Sequence, residues 1–260
     1  MRLANLRAAA GTRLHVRTSA GYVDVARATG DPRLASLPGL LATGEPGLAR
    51  VAELPPGDDG AGLELGPAVE RPGKILCIGR NYTEHIDEVR ARQIGWPEVF
   101  AKYASTVIGP FDEIVRPSVS EQVDYEGELG VVIGRAGRHV SAERAMELVF
   151  GFCAVNDVSI RDWQGRGTQW TPGKNFDRTF PIGPEVVTAD EVDWRDLGIE
   201  TRLNGDRVQA SRTSLMLFDI PAQIEFITSW LTLEPGDVIA TGTPGGAGKG
   251  RRPPLWMRAG

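Results

Sequence analysis

A chain of 260 residues, 41% hydrophobic and 24% charged, has the size and composition of one large globular domain, or of a large domain with a small appendage. Its net charge of −5 and pI near 5.4 exclude the basic surface that nucleic-acid binding needs. The first residues hold no apolar core of signal-peptide length. The longest apolar run, around Met146 to Val155, is broken by Glu147 and Gly151, so no membrane partner is expected and the cytoplasm is the default.

The first predicted elements are strand-like pieces, Thr12–Arg17 and Gly21–Arg27. The Pro- and Gly-rich stretch Pro55 to Pro67 then sets a small unit, residues 1–68, apart from residues 69–260. Lys74–Ile78 reads as a strand and runs into Gly79-Arg80-Asn81-Tyr82-Thr83-Glu84-His85-Ile86-Asp87-Glu88. If that segment is a short helix, His85 and Glu88 sit at i and i+3 and can touch. A carboxylate beside imidazole raises its basicity, as a water-activating base requires, although a plain surface pair reads the same way. Cys77 and Cys153 lie inside apolar runs and look like small core residues with no disulfide or redox role.

The most informative segment is V-D-Y-E-G-E-L-G-V-V-I-G. On a strand, Asp124, Glu126 and Glu128 share one face and aim carboxylates at one spot beside the apolar wall Leu129 to Ile133. Repulsion and desolvation oppose such clustering, and a cation removes both; a solvated edge strand is the plainer alternative. Asp157 ends a second apolar strand, Gly151–Asp157. Two carboxylates at i and i+2 with a third from another strand make an all-oxygen set suited to Mg²⁺ first, then Mn²⁺ or Ca²⁺. Arg161, Asp162 and Gln164 follow closely enough for substrate contacts, and Lys174 sits in a Gly/Pro-rich loop where it can face an oxyanion.

Ser141 is placed to cap a helix over Ala142–Val149, with Glu143 in its first turn. Asn204-Gly205 predicts a hairpin turn between Ile199 and Gln209. Asp219 is placed to cap a helix with Pro221 in its first turn and an Ile224, Ile227, Leu231 stripe. Val238–Thr241 is a last strand. The Gly-rich segment after it fails the phosphate-loop pattern, with Thr243 and Gly250 where Gly and Ser or Thr are needed, so no nucleotide is expected there. Strands without regular helical crossovers argue for a mainly β domain with a few helices.

Together these residues resemble the fumarylacetoacetate hydrolase family over roughly Lys74 to Gly260. The landmarks are G-R-N-Y-x-x-H-x-x-E, I-G-P at Ile108, D-Y-E-G-E-L, N-D-V-S-x-R-D-W-Q, G-K-N-F-D, the Asn-Gly hairpin and P-G-D-V-I-x-T-G-T-P, in that order. The resemblance implies mixed β-sheets rolled into a barrel-like core, a homodimer, and Mg²⁺ or Mn²⁺ held by Glu126, Glu128 and Asp157. It implies a His85–Glu88 dyad on a lid-like helix, Lys174 near the reacting carbonyl, and substrate contacts from Arg161, Gln164 and Thr243. Asp124 belongs to the same motif but not to the metal set. Chains of the family usually run on past Pro254-Leu255 through two more strands, so that edge is expected to be completed by a partner chain or by residues beyond Gly260. The expected chemistry is cleavage of a C–C bond in a short 2,4-dioxo acid, an acylpyruvate, through an enolate. Alternatives at the same site are oxaloacetate decarboxylation or tautomerisation, or isomerisation of a dienoic acid. A biosynthetic cyclase and a non-catalytic family member are further readings.

Overall fold

The computed structural model describes residues 1–9, 11–88 and 95–259. The first strands are β1 (Arg2–Ala8), β2 (Gly11–Arg17), β3 (Tyr22–Asp24) and β4 (Glu64–Leu65). Between β3 and β4 lie three helices, α1 (Val25–Thr29), α2 (Leu37–Ala42) and α3 (Gly44–Ala52). Then follow β5 (Ile75–Gly79), α4 (Thr83–Glu88), β6 (Glu98–Lys102), β7 (Val107–Ile108), β8 (Val123–Asp124), β9 (Gly127–Ile133), β10 (Val149–Asn156) and β11 (Ser159–Ile160). The chain continues through α5 (Arg161–Gln164), α6 (Thr171–Lys174), β12 (Phe180–Thr188), β13 (Gly198–Leu203), β14 (Asp206–Arg212), α7 (Ile220–Trp230) and β15 (Val238–Ala240).

Eleven strands make one mixed sheet, with the main path β3-β2-β1-β12-β10-β9-β15-β5-β6, β4 on β1 and β7 on β12. The path ends at β3 and β6, so the sheet is open, and the closed barrel-like roll is not formed among the described residues. Closure would need a partner for β6, and β3 is only three residues long before the chain turns into a helix. The reason is local: Asp24 accepts a hydrogen bond from Arg27 N at 2.9 Å and so caps α1. The strand expected to run on to Arg27 therefore stops at Asp24, and α1 to α3 add helix that the sequence pattern did not suggest.

Residues 1–68 share sheet and core with the rest. β1 pairs antiparallel with β12, Leu3 opposite Val186, and Leu3, Leu14, Val25 and Leu40 pack in one cluster with Ile75, Val132 and Phe180. Cys77 and Cys153 are buried in this cluster as free thiols. On the opposite face Ile220, Ile224 and Ile227 of α7 cover Leu76, Val131, Ile133 and Ile239. Asp219 caps α7, accepting from Ala222 N at 2.9 Å. Ser141 makes no side-chain cap, and Ala142–Leu148 winds as a 3₁₀ helix instead of the expected α-helix. The β13–β14 hairpin turns on Asn204 and Gly205 with φ of 52° and 89°, the left-handed pair that an Asn-Gly turn allows.

Candidate active site

The acidic cluster follows from strand register. β9 and β10 pair antiparallel with Glu128 opposite Val155 and Gly127 opposite Asn156. Side chains alternate along each strand, so Glu126 and Glu128 leave the sheet on the face where the continuation of β10 delivers Asp157. The strand expected over Asp124–Ile133 is interrupted at Tyr125 and Glu126. There Asp157 N donates to Glu126 O at 2.9 Å, and Glu126 N donates to Asn156 Oδ1 at 2.9 Å. Carboxylate oxygens of Glu126, Glu128 and Asp157 lie within 4.8 Å of one another, and all three residues are buried.

Buried carboxylates this close need positive charge. Lys174 Nζ donates to Glu126 Oε2 at 2.5 Å and Asp157 Oδ2 at 2.6 Å. Lys102 Nζ lies 2.9 Å from Asp157 Oδ1. Arg161 donates to Glu126 Oε1 at 2.5 Å, to Asp124 Oδ2 at 2.7 Å and to Gln164 Oε1 at 3.0 Å. Burial alone would raise the Glu126 pKa, yet the charges of Arg161 and Lys174 hold it below the usual carboxylate range. Burial likewise disfavours the Lys174 ammonium, and Asp157 and Glu126 outweigh it, raising that pKa. Lys174 reaches the cluster because α6 lies tightly on α5. A Cβ on Gly173 would stand 2.4 Å from Gln164 N, so only glycine fits there.

Glu128 is different. Burial, reinforced by Asp157 and Glu126, pushes its carboxyl well above the usual range, and its hydrogen bond comes from Gly242 N at 2.8 Å. Asp157 Oδ1 has Lys102 Nζ beside it at 2.9 Å, an ion pair without hydrogen-bond geometry. A divalent cation would offset the repulsion at Glu128, so this oxygen-only donor set fits Mg²⁺ or Mn²⁺, with Ca²⁺ as a substitute.

His85 of α4, Arg161, Gln164, Lys174 and Thr243 all line one polar cavity of about 220 Å³ with the three carboxylates. The His85 ring is buried and its Nδ1 has no partner among the described residues. Burial pulls its pKa down to about 4 against the opposite pull of Glu126, with Arg161, Lys174 and Lys249 adding to the lowering, so the imidazole is neutral at pH 7. The His85–Glu88 contact expected from their spacing is not made. Both Glu88 oxygens accept from Gly246 N at 2.8 Å, because the glycine loop offers that carboxylate a backbone donor. Thr243 Oγ1 donates to Gly127 O at 3.0 Å and accepts from Gln209 Nε2 at 2.8 Å.

Sequence reasoning missed three supports. Asp124 accepts from Gly248 N at 2.7 Å and Lys249 N at 3.0 Å, tying the loop after β15 to Arg161. Fully buried Asn81 donates to Thr241 O at 2.7 Å and to Phe218 O at 2.9 Å, fixing the turn that carries α4. Lys102 lay unremarked in F-A-K-Y; its one signal was a lysine amid apolar neighbours of a strand.

The sequence profile of the fumarylacetoacetate (FAA) hydrolase C-terminal family matches residues 74–260. The human "Oxaloacetate tautomerase FAHD2A, mitochondrial" is 46% identical over 195 residues, covering 74% of this chain and 62% of the relative. The chain thus spans less than two thirds of the length of that curated relative. The mitochondrial address belongs to that protein and gives no support to the cytoplasmic expectation. For this chain, no helix among the described residues is long and apolar enough to cross a membrane. Among solved structures, fumarylacetoacetate hydrolase from Exiguobacterium antarcticum superposes with a TM-score of 0.88 at 36% identity, covering 100% of this chain and 92% of the other. Maleylpyruvate hydrolase from Sphingobium sp. SYK-6, solved with manganese(II) and pyruvate, does so at 0.74 and 32%, covering 95% and 90%. The match of profile, relatives and architecture makes this chain a member of the fumarylacetoacetate hydrolase family.

Proposed function

We propose that this chain is a divalent-metal-dependent enzyme that interconverts the keto and enol forms of a short 2-oxo acid, oxaloacetate being the first candidate. The observation that carries this reading is a neutral, unpartnered His85 facing three buried carboxylates in one small polar cavity, with Glu88 turned away to Gly246. Tautomerisation moves one proton between C3 and the 2-oxo oxygen and needs no activated water. A lone neutral base suffices. The tautomerase name of the human relative supports the same choice over C–C hydrolysis.

Glu126, Glu128 and Asp157 would hold the cation, which when bound supplies Lewis-acid stabilisation of negative charge on the 2-oxo oxygen. Arg161, with Gln164 fixing its guanidinium, would receive the substrate's first carboxylate. His85 takes a proton from C3 and delivers it to the oxygen, and the reverse reaction runs the same transfer backwards. Lys174 keeps an ammonium beside the developing oxyanion. Hydrolysis of an acylpyruvate is a second reading, supported by the likeness to two hydrolases and by His85 standing in the same cavity.

The test follows the ultraviolet absorbance of oxaloacetate enol with Mn²⁺ or Mg²⁺ and then with EDTA, with pyruvate release from acetylpyruvate and oxaloacetate assayed in parallel. Metal-dependent loss of enol without pyruvate is expected. Cleavage of acetylpyruvate with no enol exchange would replace the tautomerase by the hydrolase, and pyruvate from oxaloacetate alone would replace it by a decarboxylase.

A further inference from the structure

Two cations on the cavity wall, Arg80 and Lys249, have no part in that proton transfer. Arg80 directly follows β5 in a left-handed conformation, φ 55°, which is costly for a residue with a Cβ and so must be held by its surroundings. Its guanidinium lies over the Trp170 ring at 5.1 Å, and Trp170 in turn meets Phe100 edge-on at 5.3 Å. Arg80 Nε stands 3.2 Å from Glu98 Oε2. Among the described residues, nothing accepts a hydrogen bond from its terminal nitrogens, so the stacked, braced fork still has donors to offer. Lys249 is fixed at its backbone, where its N–H and that of Gly248 both donate to buried Asp124. No carboxylate among the described residues pairs with its ammonium.

The charge balance says what these cations lack. Once a bound cation has displaced the Glu128 proton, Glu126, Glu128 and Asp157, with Asp124 and Glu98 paired to wall residues, are five carboxylates. Lys174, Arg161, Arg80, Lys249 and Lys102 are five cations around them, and His85 is neutral. A divalent cation at the carboxylates leaves two positive charges, which a dianion balances and a monoanion does not.

We propose that Arg80 and Lys249 form a subsite for a second, distal carboxylate, so that the site selects 2-oxo dicarboxylates over 2-oxo monocarboxylates. This rests on the 2-oxo acid reading above. Arg161 would receive the C1 carboxylate beside the three metal-holding carboxylates, and the two wall cations would hold the far end. The cavity, at about 220 Å³, has room for a short diacid.

Lactate and malate differ only by the distal carboxylate and do not turn over by enolisation, so they separate recognition from catalysis. With Mn²⁺ present, calorimetry should show malate binding the wild-type chain about tenfold or more tighter than lactate. Lys249→Met and Arg80→Gln should each cut malate affinity about tenfold while changing lactate affinity less than twofold and leaving Mn²⁺ affinity unchanged. Lys249→Arg should keep most of the preference. Equal weakening of lactate and malate would assign both residues a purely structural role and overturn the proposal, as would a malate preference that survives both substitutions. If the preference behaves as expected while no enol exchange is found, the tautomerase reading fails and the diacid subsite stands.

Discussion

The two ends of the same strands are built on opposite principles. In the middle of the sheet, Val131 and Val132 of β9 stand beside Ile239 and Val238 of β15, all at zero exposure, an apolar lattice whose burial drives folding. At and just before the start of β9, and just past the end of β10, three carboxylates are also buried and survive only because Lys174, Lys102 and Arg161 converge on them. The apolar end needs shape alone. The acidic end needs charge partners from segments distant in sequence, and Glu128 is left without one. The acidic cluster sits where the chain tolerates that cost, against a stable floor that tolerates none.

Breaking the acidic end should have the largest effect. Lys174→Met leaves two ion-paired carboxylates exposed to each other in a buried site, and without metal the protein should lose about 3–5 kcal/mol, read by urea denaturation in EDTA. Mn²⁺ should restore part of it. An unchanged midpoint in EDTA would show that Lys174 is not the counter-charge of Glu126 and Asp157. Breaking the apolar floor comes next. Ile239→Ala should cost about 2–5 kcal/mol through cavity formation, with the same loss in EDTA and in Mn²⁺, because that site holds no charge. A loss that depended on metal would show that the apolar floor and the acidic end are energetically coupled.

Glu128→Gln sharpens the comparison in the other direction. Removing the carboxylate that the protein does not compensate should raise metal-free stability by about 1 kcal/mol while Mn²⁺ affinity falls steeply, measured by thermal melts in EDTA and by metal titration. Stability should also depend on pH with two opposed signs. The Glu128 pKa is raised in the folded state, so the folded protein binds the extra proton and metal-free stability declines as pH rises above the ordinary carboxylate value. The His85 pKa is lowered from 6.5 to about 4, so its contribution is full above pH 6.5 and is lost as pH falls toward 4. His85→Asn should remove that acid-side slope. In the wild type, kcat/KM for enol exchange should not fall at pH 6.5, and its acid limb should lie below pH 5; a limb at the usual histidine value would show His85 to be solvated in the working enzyme. The smallest effect belongs to Glu88→Gln, which alters one exposed contact to Gly246 N and should change stability by less than about 1 kcal/mol.

Much of the site was legible because strand alternation is a local rule. Two-residue periodicity put Glu126 and Glu128 on one face, and the abrupt end of an apolar run marked Asp157. The Asp219 cap and the Asn204-Gly205 turn were legible for the same reason, since each is decided within four residues. The errors were also local in origin. A run of alternating residues after Gly21 looked like a strand, but the Asp24 carboxylate found Arg27 N and started a helix. His85 and Glu88 have the spacing of a pair, yet the nearest donor to Glu88 in space was a glycine amide from a loop 158 residues away. Lys102 carried no motif at all, and its role exists only because β6 lies beside α6 and the end of β10.

The sequence by itself therefore determined the shared face of Glu126 and Glu128, the hairpin and the cap of α7, because short-range geometry settles those, and its ordered motifs carried the family resemblance. Only the tertiary structure decided which cations meet the carboxylates, that the sheet stays open, that Glu88 faces Gly246 and that Arg80 and Lys249 share a wall with His85. Electrostatic partners in a buried site are chosen by where chain segments meet in three dimensions, and no period in the sequence encodes that meeting.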